Sequence, residues 1–185
     1  MLLSVLELER EPLEFRHAFS SGTIEYAPGI RQLGDLAVEG RAELIEEHRG
    51  PHRVIQDIRL RAHYQGRFEA LCARCLEPVE HALEDRFDLL FRPSAADAGA
   101  AERAISTSDT EIGYYQEGGL AVEDALREQV LLSLPAKTLC RQGCRGWCPG
   151  CGRNLNTERC TCEAGLTDAR WATLADLRSR MNTQS

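Results

Sequence analysis

Cysteine is the residue type in this chain with the clearest potential for chemistry. Six of the eight cysteines fall within one segment, LCRQGCRGWCPGCGRNLNTERCTC: Cys140, Cys144, Cys148, Cys151, Cys160 and Cys162. Its C-P-G-C-G unit is typical of a metal site, because two intervening residues and a flexible glycine let both sulfurs reach one ion. The segment has few apolar residues with which to build a core. A bound metal must therefore supply the free energy that orders it.

Zinc is the metal that this spacing favours, since structural zinc sites take four thiolates in a tetrahedron. The segment allows one such site with two thiols to spare, or two sites if Cys72 and Cys75 fold over to contribute. We expect about one zinc per chain, with Cys148 and Cys151 as the anchor pair. An iron–sulfur cluster fits less well, because the spacing matches no ferredoxin run.

Disulfides are a poorer interpretation of the same cysteines. The N-terminal stretch MLLSVLELEREP has no basic start, only a short apolar run and several acids, so it does not resemble an export signal. No apolar run approaches the roughly 20 residues that a membrane helix requires. These features predict a cytoplasmic protein without a membrane partner, in a compartment where thiols stay reduced.

Cys72 and Cys75 form a C-A-R-C motif that invites a redox interpretation. A reactive C-x-x-C generally lies at a helix N-terminus, where the helix dipole lowers the thiol pKa. This pair instead ends a strand pattern and is followed by Leu-Glu-Pro. We therefore favour cysteines that pack or bind a metal over a thiol oxidoreductase. The scattered histidines, and the absence of any phosphate loop or Gly-flanked serine, predict that the protein is not an enzyme and has no small-molecule substrate.

Arginines are concentrated in one part of an otherwise acidic chain. The net charge is −7, yet residues 49–74 carry six arginines against two acids. Five residues form a stripe on or near the polar side of a strand pattern: Arg53, Arg59, Arg61, Arg67 and Arg74. Such a stripe could follow an RNA backbone, or it could be an ordinary solvated sheet face. Because the stripe lacks aromatic residues, phosphate and shape contacts are better expectations than base recognition.

Alternation of apolar and polar residues dominates the first half of the chain. It appears in DLAVEGRAELIEE, in HRVIQDIRLRAHYQGRFEALC and in VEHALEDRFDLLF, the second being one long strand or a hairpin turning at Gln65-Gly66. The pattern predicts an α+β protein: a curled antiparallel β-sheet or partly open barrel with one or two packing helices and a C-terminal Cys-rich zinc-binding segment.

Two domains are predicted. Residues 1–138 form the sheet domain, with a mobile loop at 93–110 and a helix at about 121–133. Residues 139–185 form the Cys-rich segment plus a terminal helix that contains Trp171, Leu174 and Leu177 on one stripe.

The chain resembles the YceD family, long described as a domain of unknown function. The resemblance lies in CARCLEPVEHALEDRFDLLF, in the helix with Leu-Pro before the Cys-rich segment, in that segment itself and in DARWATL. It implies a bacterial or plastid factor that large-subunit ribosomal RNA needs in order to accumulate. Family members are often encoded beside a large-subunit ribosomal protein that contains zinc, which makes such a protein a possible partner.

The leading functional hypothesis is therefore a non-enzymatic factor in large-subunit biogenesis. It would bind ribosomal RNA or a pre-ribosomal particle, with Arg59, Arg61 and Arg67 on RNA phosphates. The alternatives are a zinc-stabilised adaptor whose acidic surface binds a basic ribosomal protein, and a thiol oxidoreductase that uses Cys72 and Cys75.

Overall fold

The computed structural model describes residues 1–48, 54–96, 112–116 and 118–162. These residues form strands with a few short helical elements. The strands are β1 (Leu2–Ser4), β2 (Leu13–Phe19), β3 (Ile30–His48), β4 (Val54–Leu71), β5 (Pro78–Pro93), β6 (Ile112–Tyr115) and β7 (Gly119–Ala121). The helices are α1 (Val5–Leu8), α2 (Val122–Ser133) and a 3₁₀ turn at Ser94–Ala96.

The main sheet has the strand order β2-β3-β4-β5-β6, and β1 and β7 form a separate two-stranded sheet. Among the described residues no pairing joins β2 to β6, so the five-stranded sheet stays open. This confirms the predicted fold class of a sheet protein with few helices. One pairing differs from the expected antiparallel sheet, because β6 runs parallel to β5. A parallel neighbour requires a long connection, and β5 ends at Pro93 whereas β6 begins at Ile112.

The three long strands β3, β4 and β5 have one buried and one polar face. On β4 the residues Ile58, Leu60, Ala62 and Tyr64 are buried, whereas the alternating residues Arg59, Arg61 and His63 are more exposed. This alternation produces one strand with no turn at Gln65-Gly66, the first of the two alternatives that the sequence allowed. The buried face supplies most of the core, and the polar face is solvated.

Helix α2 covers the buried face of the sheet. Its Val122, Leu126 and Val130 belong to the core, and Tyr64 of β4 donates a 2.8 Å hydrogen bond to, or accepts one from, Ser133. Acidic residues in the first turn favour the start of the helix through its dipole. Leu134 is extended, as expected for a residue that precedes a proline, and this ends the helix. The structure thus has a helix at Val122–Ser133, where the sequence predicts one at about 121–133.

The sequence analysis missed the elements near the N-terminus. Strand β2 carries Leu13, Phe15 and Phe19 in alternation, a signal that would have identified it. The predicted mobile loop is described only over its first residues, which end β5 and form the 3₁₀ turn. The rest of that loop and the predicted terminal helix lie outside the described residues. Neither α-helix in the described ranges has both the length and the apolar composition needed to cross a membrane.

Candidate metal centres

The first sulfur cluster, here called the hairpin group, joins two distant parts of the chain. Cys72 and Cys75 lie in the loop between β4 and β5, and Cys140 and Cys144 follow α2. All four sulfurs lie within 4.8 Å of one another. The Sγ atoms of Cys72 and Cys144 are 3.8 Å apart, and those of Cys75 and Cys140 are 3.6 Å apart. Three of the four residues are buried and Cys140 is partly buried.

The second cluster, here called the tail group, lies entirely within the Cys-rich segment. It consists of Cys148, Cys151, Cys160 and Cys162, whose sulfurs also lie within 4.8 Å of one another. The Sγ atoms of Cys148 and Cys160 are 3.5 Å apart. Cys148 is buried, whereas Cys151 and Cys162 are exposed. This group is therefore closer to solvent than the hairpin group.

Both groups have dimensions that fit a tetrahedral metal ion. Metal–sulfur bonds of about 2.3 Å in a tetrahedron place the sulfurs roughly 3.8 Å apart. Three of the sulfur pairs are separated by 3.5–3.8 Å, and all eight cysteines are free thiols. Each group could therefore hold one metal ion, which gives room for two per chain where the sequence led us to expect about one. The sequence left open whether Cys72 and Cys75 contribute, and the structure brings them together with Cys140 and Cys144.

The two C-x-x-C motifs adopt the same turn. The amide of Leu76 donates to the carbonyl oxygen of Cys72 over 2.9 Å, and that of Gly152 donates to Cys148 over 2.9 Å. Leu76 and Gly152 both have positive φ angles, +59° and +69°. A residue in this conformation turns the chain back, which directs neighbouring amides toward the sulfurs. Leucine adopts it less readily than glycine, so only the second turn was recognisable in the sequence.

Backbone amides prepare one thiol in each group for metal binding. Burial opposes ionisation of Cys72, but hydrogen bonds from the amides of Arg74, Cys140 and Cys75 outweigh it and lower its pKa to about 6. The amides of Cys151 and Gly150 lower the pKa of Cys148 to about 6. Both thiols are therefore largely ionised at neutral pH, and a thiolate is the form that binds a metal.

The negative charge of these thiolates has the opposite effect on their neighbours. Hydrogen bonding to the Cys151 and Cys148 sulfurs raises the pKa of Cys162 to about 12. The amide of Glu77 lowers the pKa of Cys75, but burial and the nearby thiols outweigh it and raise the pKa to about 12. A bound cation would favour the ionised form of every thiol, so metal binding at neutral pH would release protons.

The Cys-rich segment is fixed to the β4–β5 hairpin by more than sulfur. The Trp147 amide donates to the Arg74 carbonyl over 3.2 Å, and its indole Nε1 donates to the Cys75 carbonyl over 2.5 Å. The side chain of Asn154 donates to Glu77 over 3.1 Å. Cys72 and Cys75 of the predicted first domain thus share one site with residues of the predicted second.

Asn156 supports the hairpin group and was missed by the sequence analysis. Its Nδ2 donates to Cys144 Sγ over 3.4 Å, and its Oδ1 accepts from the backbone amide of Arg145 over 2.9 Å. Hydrogen bonding from Asn156 is the main reason that the pKa of Cys144 is lowered. A side-chain amide between cysteine motifs is the signal that could have identified it.

We expect Gly146→Ala to loosen the contact between the Cys-rich segment and the hairpin. Gly146 has φ +71°, and a Cβ atom there would lie 2.8 Å from the Arg74 carbonyl oxygen. A side chain in this strained conformation costs about 1–3 kcal/mol. The expected result is faster loss of metal from the hairpin group to a chelator. Gly143→Ala is the matched control, because a Cβ there would meet nothing within 4 Å. Equal release rates for the two variants would contradict the prediction.

The predicted arginine stripe has mixed surroundings. Arg59 makes a bidentate contact with Asp88, with N–O distances of 2.8 and 2.6 Å, and Arg61 is paired with Glu43. Arg67 is exposed, with no ion pair to any described residue. Arg74 donates to the Cys144 carbonyl over 2.5 Å. Arg53 lies outside the described residues. RNA binding by this stripe stays a prediction.

The Cys-rich segment contains four arginines, Arg141, Arg145, Arg153 and Arg159. Arg141 donates to Asn156 Oδ1 over 3.0 Å. Arg153 is 3.9 Å from Glu158 and also donates to the Arg159 carbonyl. The structure thus holds Arg141 beside a residue that contacts a sulfur of the hairpin group.

The family of the chain is shown by a match over residues 60–178 to the family described as large ribosomal RNA subunit accumulation protein YceD. The match covers more than half of the chain. The chain belongs to the YceD family. The matched residues include both sulfur groups, most of the β4–β5 hairpin and α2, so the family resemblance noted in the sequence is confirmed.

Three individual relatives share about a third of their residues with this chain over the matched segment. An uncharacterised protein of Mycobacterium tuberculosis is 32% identical over 106 residues, covering 57% of this chain and 48% of that protein. One of Mycobacterium leprae is 28% identical over 107 residues, covering 57% and 46%. The Arabidopsis thaliana protein named large ribosomal RNA subunit accumulation protein YCED homolog 1, chloroplastic, is 34% identical over 131 residues, covering 60% and 41%. The match to this chain thus spans less than half of each relative. No solved structure matches the chain.

Proposed function

We propose that this protein is a non-enzymatic factor that supports the accumulation of large-subunit ribosomal RNA by binding that RNA or an assembling particle. The observation that carries the proposal is the family match over residues 60–178, since the family is described by ribosomal RNA accumulation. The Arabidopsis relative is likewise named for the accumulation of large-subunit ribosomal RNA. The metal groups supply the rigid frame for this binding, in place of an active site.

Zinc is the proposed occupant of both groups. Four sulfurs in a tetrahedral arrangement suit zinc or iron, and the C-x-x-C pairs are typical of structural zinc sites. Each group already offers four ligands, so an ion bound there has no open position for a substrate. The proposed role of zinc is therefore structural: it orders the Cys-rich segment and fixes it to the hairpin.

The position of Cys72 and Cys75 argues against thiol–disulfide catalysis. Both side chains are buried, and they follow the end of β4 at Leu71 with no helix after them. A reactive pair requires an accessible thiol, which these do not offer. Their sulfurs also lie beside those of Cys140 and Cys144, as a shared metal site requires.

Crosslinking in cells, followed by sequencing of the attached RNA, tests the proposed function. The expected result is enrichment of large-subunit ribosomal RNA, with lower levels of that RNA in cells that lack the protein. Purification of the protein after nuclease treatment provides the comparison. Retention of a ribosomal protein without crosslinked RNA would contradict RNA binding and favour the adaptor hypothesis.

A further inference from the structure

We propose that Trp147, together with Arg74, Arg141 and Arg145, forms a binding site for an unpaired segment of RNA. In this site the indole ring stacks on a base, and the three guanidinium groups contact phosphates. The inference rests on the proposed function and assigns the RNA contact to a particular surface. This surface lies where the Cys-rich segment meets the β4–β5 hairpin, and it differs from the arginine stripe along β4.

Trp147 is exposed yet held in place. Half of its surface is accessible (50%), although it is a large apolar residue. Its indole Nε1 donates to the Cys75 carbonyl over 2.5 Å, its amide donates to the Arg74 carbonyl, and its backbone pairs with Asn154. One edge of the ring is therefore fixed to the hairpin while much of the side chain faces solvent. A rigid, exposed ring binds a base at a lower entropic cost than a mobile one.

Hydrogen bonds connect the three arginines to residues close to Trp147 in the chain. Arg74 donates to the carbonyl of Cys144, which is bonded directly to Arg145. Arg141 and the amide of Arg145 donate to the same Asn156 oxygen, over 3.0 and 2.9 Å. Arg145 is two residues from Trp147, and the Arg74 carbonyl accepts the Trp147 amide. All three arginines are exposed, so their guanidinium groups are accessible to a ligand.

Charge separates this surface from the polar face of the sheet. Several sheet arginines are paired with carboxylates on neighbouring strands, as Arg59 is with Asp88 and Arg31 with Glu69, whereas Arg67 has no such pair with a described residue. Within the part of the chain that the structure describes, Arg74, Arg141 and Arg145 form no ion pair with a carboxylate. The nearby acid Glu77 accepts a hydrogen bond from Asn154. A phosphate could therefore bind these arginines without displacing a carboxylate.

A single strand suits the site better than a duplex. Bases in a duplex are already stacked, whereas an unpaired base can lie on an aromatic ring. Two tetrathiolate metal sites would add negative charge nearby, so affinity depends more on stacking than on long-range attraction. The logarithm of the binding constant falls linearly with the logarithm of the salt concentration. With three phosphate contacts to single-stranded RNA, the slope of that line is expected to be no steeper than about −2.

Fluorescence of the metal-loaded full chain provides the direct test. The chain has two tryptophans, so Trp171→Phe leaves Trp147 as the only reporter. A short oligouridine is expected to quench its fluorescence, and a base-paired RNA of equal length is not. Trp147→Ala should weaken oligouridine binding roughly 5- to 150-fold, the range found when a stacked aromatic is removed. Trp147→Phe, which keeps a ring, should lose less.

Matched variants separate stacking from general damage. Tyr114→Ala removes another exposed aromatic residue (53%), on β6 at the opposite end of β5, and should leave binding unchanged. Arg145→Gln should reduce the salt slope by about 0.7. Joint replacement of the exposed pair Arg16 and Glu39 by glutamine, which lies outside both proposed RNA surfaces, should not change it. Metal content is measured for every variant. If Trp147→Ala loses metal, the proposal is judged instead on the quenching of Trp147 fluorescence in the parent chain and on the salt dependence of RNA binding by Arg145→Gln.

Two results would overturn the site. One is a metal-loaded Trp147→Ala protein that binds oligouridine as tightly as the parent. The other is quenching that is equally strong with base-paired RNA. If ribosomal RNA still crosslinks to the protein in cells, such results reject this surface and leave the proposed function standing. If the parent chain binds no RNA in either experiment, the proposed function itself fails.

Discussion

Purified, reduced protein is expected to contain two metal ions per chain, and replacing either C-x-x-C pair is expected to remove one of them. Cys72→Ser with Cys75→Ser leaves the hairpin group two of its four sulfurs, and Cys148→Ser with Cys151→Ser does the same to the tail group. Structural zinc sites of this kind contribute about 10–16 kcal/mol of binding free energy at neutral pH, which two thiolates cannot supply. Elemental analysis of both variants measures the loss.

The two replacements should differ in their effect on folding. Loss of the tail group should unfold the segment around Cys148 and leave the circular dichroism of the sheet largely intact. Loss of the hairpin group should release the Cys-rich segment from the β4–β5 hairpin, because Cys140 and Cys144 then no longer share a metal ion with Cys72 and Cys75. Limited proteolysis distinguishes the two outcomes. A reduced protein that contains no metal and keeps an ordered Cys-rich segment would contradict the prediction.

Asp57→Ala is expected to lower the free energy of unfolding by about 3–5 kcal/mol, the cost of removing one member of a buried ion pair. Asp57 and Arg92 are both about 3% exposed, and Arg92 donates two hydrogen bonds to the Asp57 carboxylate, at 3.1 and 2.8 Å. Glu47, at the more exposed end of the site, also contacts Arg92. A loss of this size is a large fraction of the roughly 5–15 kcal/mol by which most domains are stable.

Asp88→Ala is the matched control for this prediction. Its pair with Arg59 has similar geometry but lies at the surface, with side chains 46% and 40% exposed. Exposed pairs contribute about 0–1 kcal/mol. Joint replacement of Asp57 by Leu and Arg92 by Met should recover much of the loss, because both buried charges are removed together. Urea denaturation midpoints measure all three effects, and equal losses for Asp57→Ala and Asp88→Ala would contradict the burial argument.

Local sequence patterns were sufficient for many elements of the fold. Alternation identified the central strands, and apolar residues at helical spacing before Pro135 identified α2. The C-P-G-C-G unit identified the turn at Cys148, because two sulfurs and a glycine are contiguous there. Family motifs gave the family, which the match over residues 60–178 confirms. Each of these features depends on residues close together in the chain, so a single sequence contains the necessary information.

Tertiary structure alone decided how distant residues are paired. The sequence does not reveal that Cys140 and Cys144, rather than other cysteines of the segment, lie beside Cys72 and Cys75. That pairing depends on the path of the backbone after α2. Register between strands placed Asp88 and Glu43 beside Arg59 and Arg61, so arginines that look free in the sequence have partners. Trp147 became a candidate site only when its indole was found fixed to the Cys75 carbonyl. Such contacts arise from the packing of the whole chain, because their partners are far apart in sequence and no local pattern specifies which of them will meet.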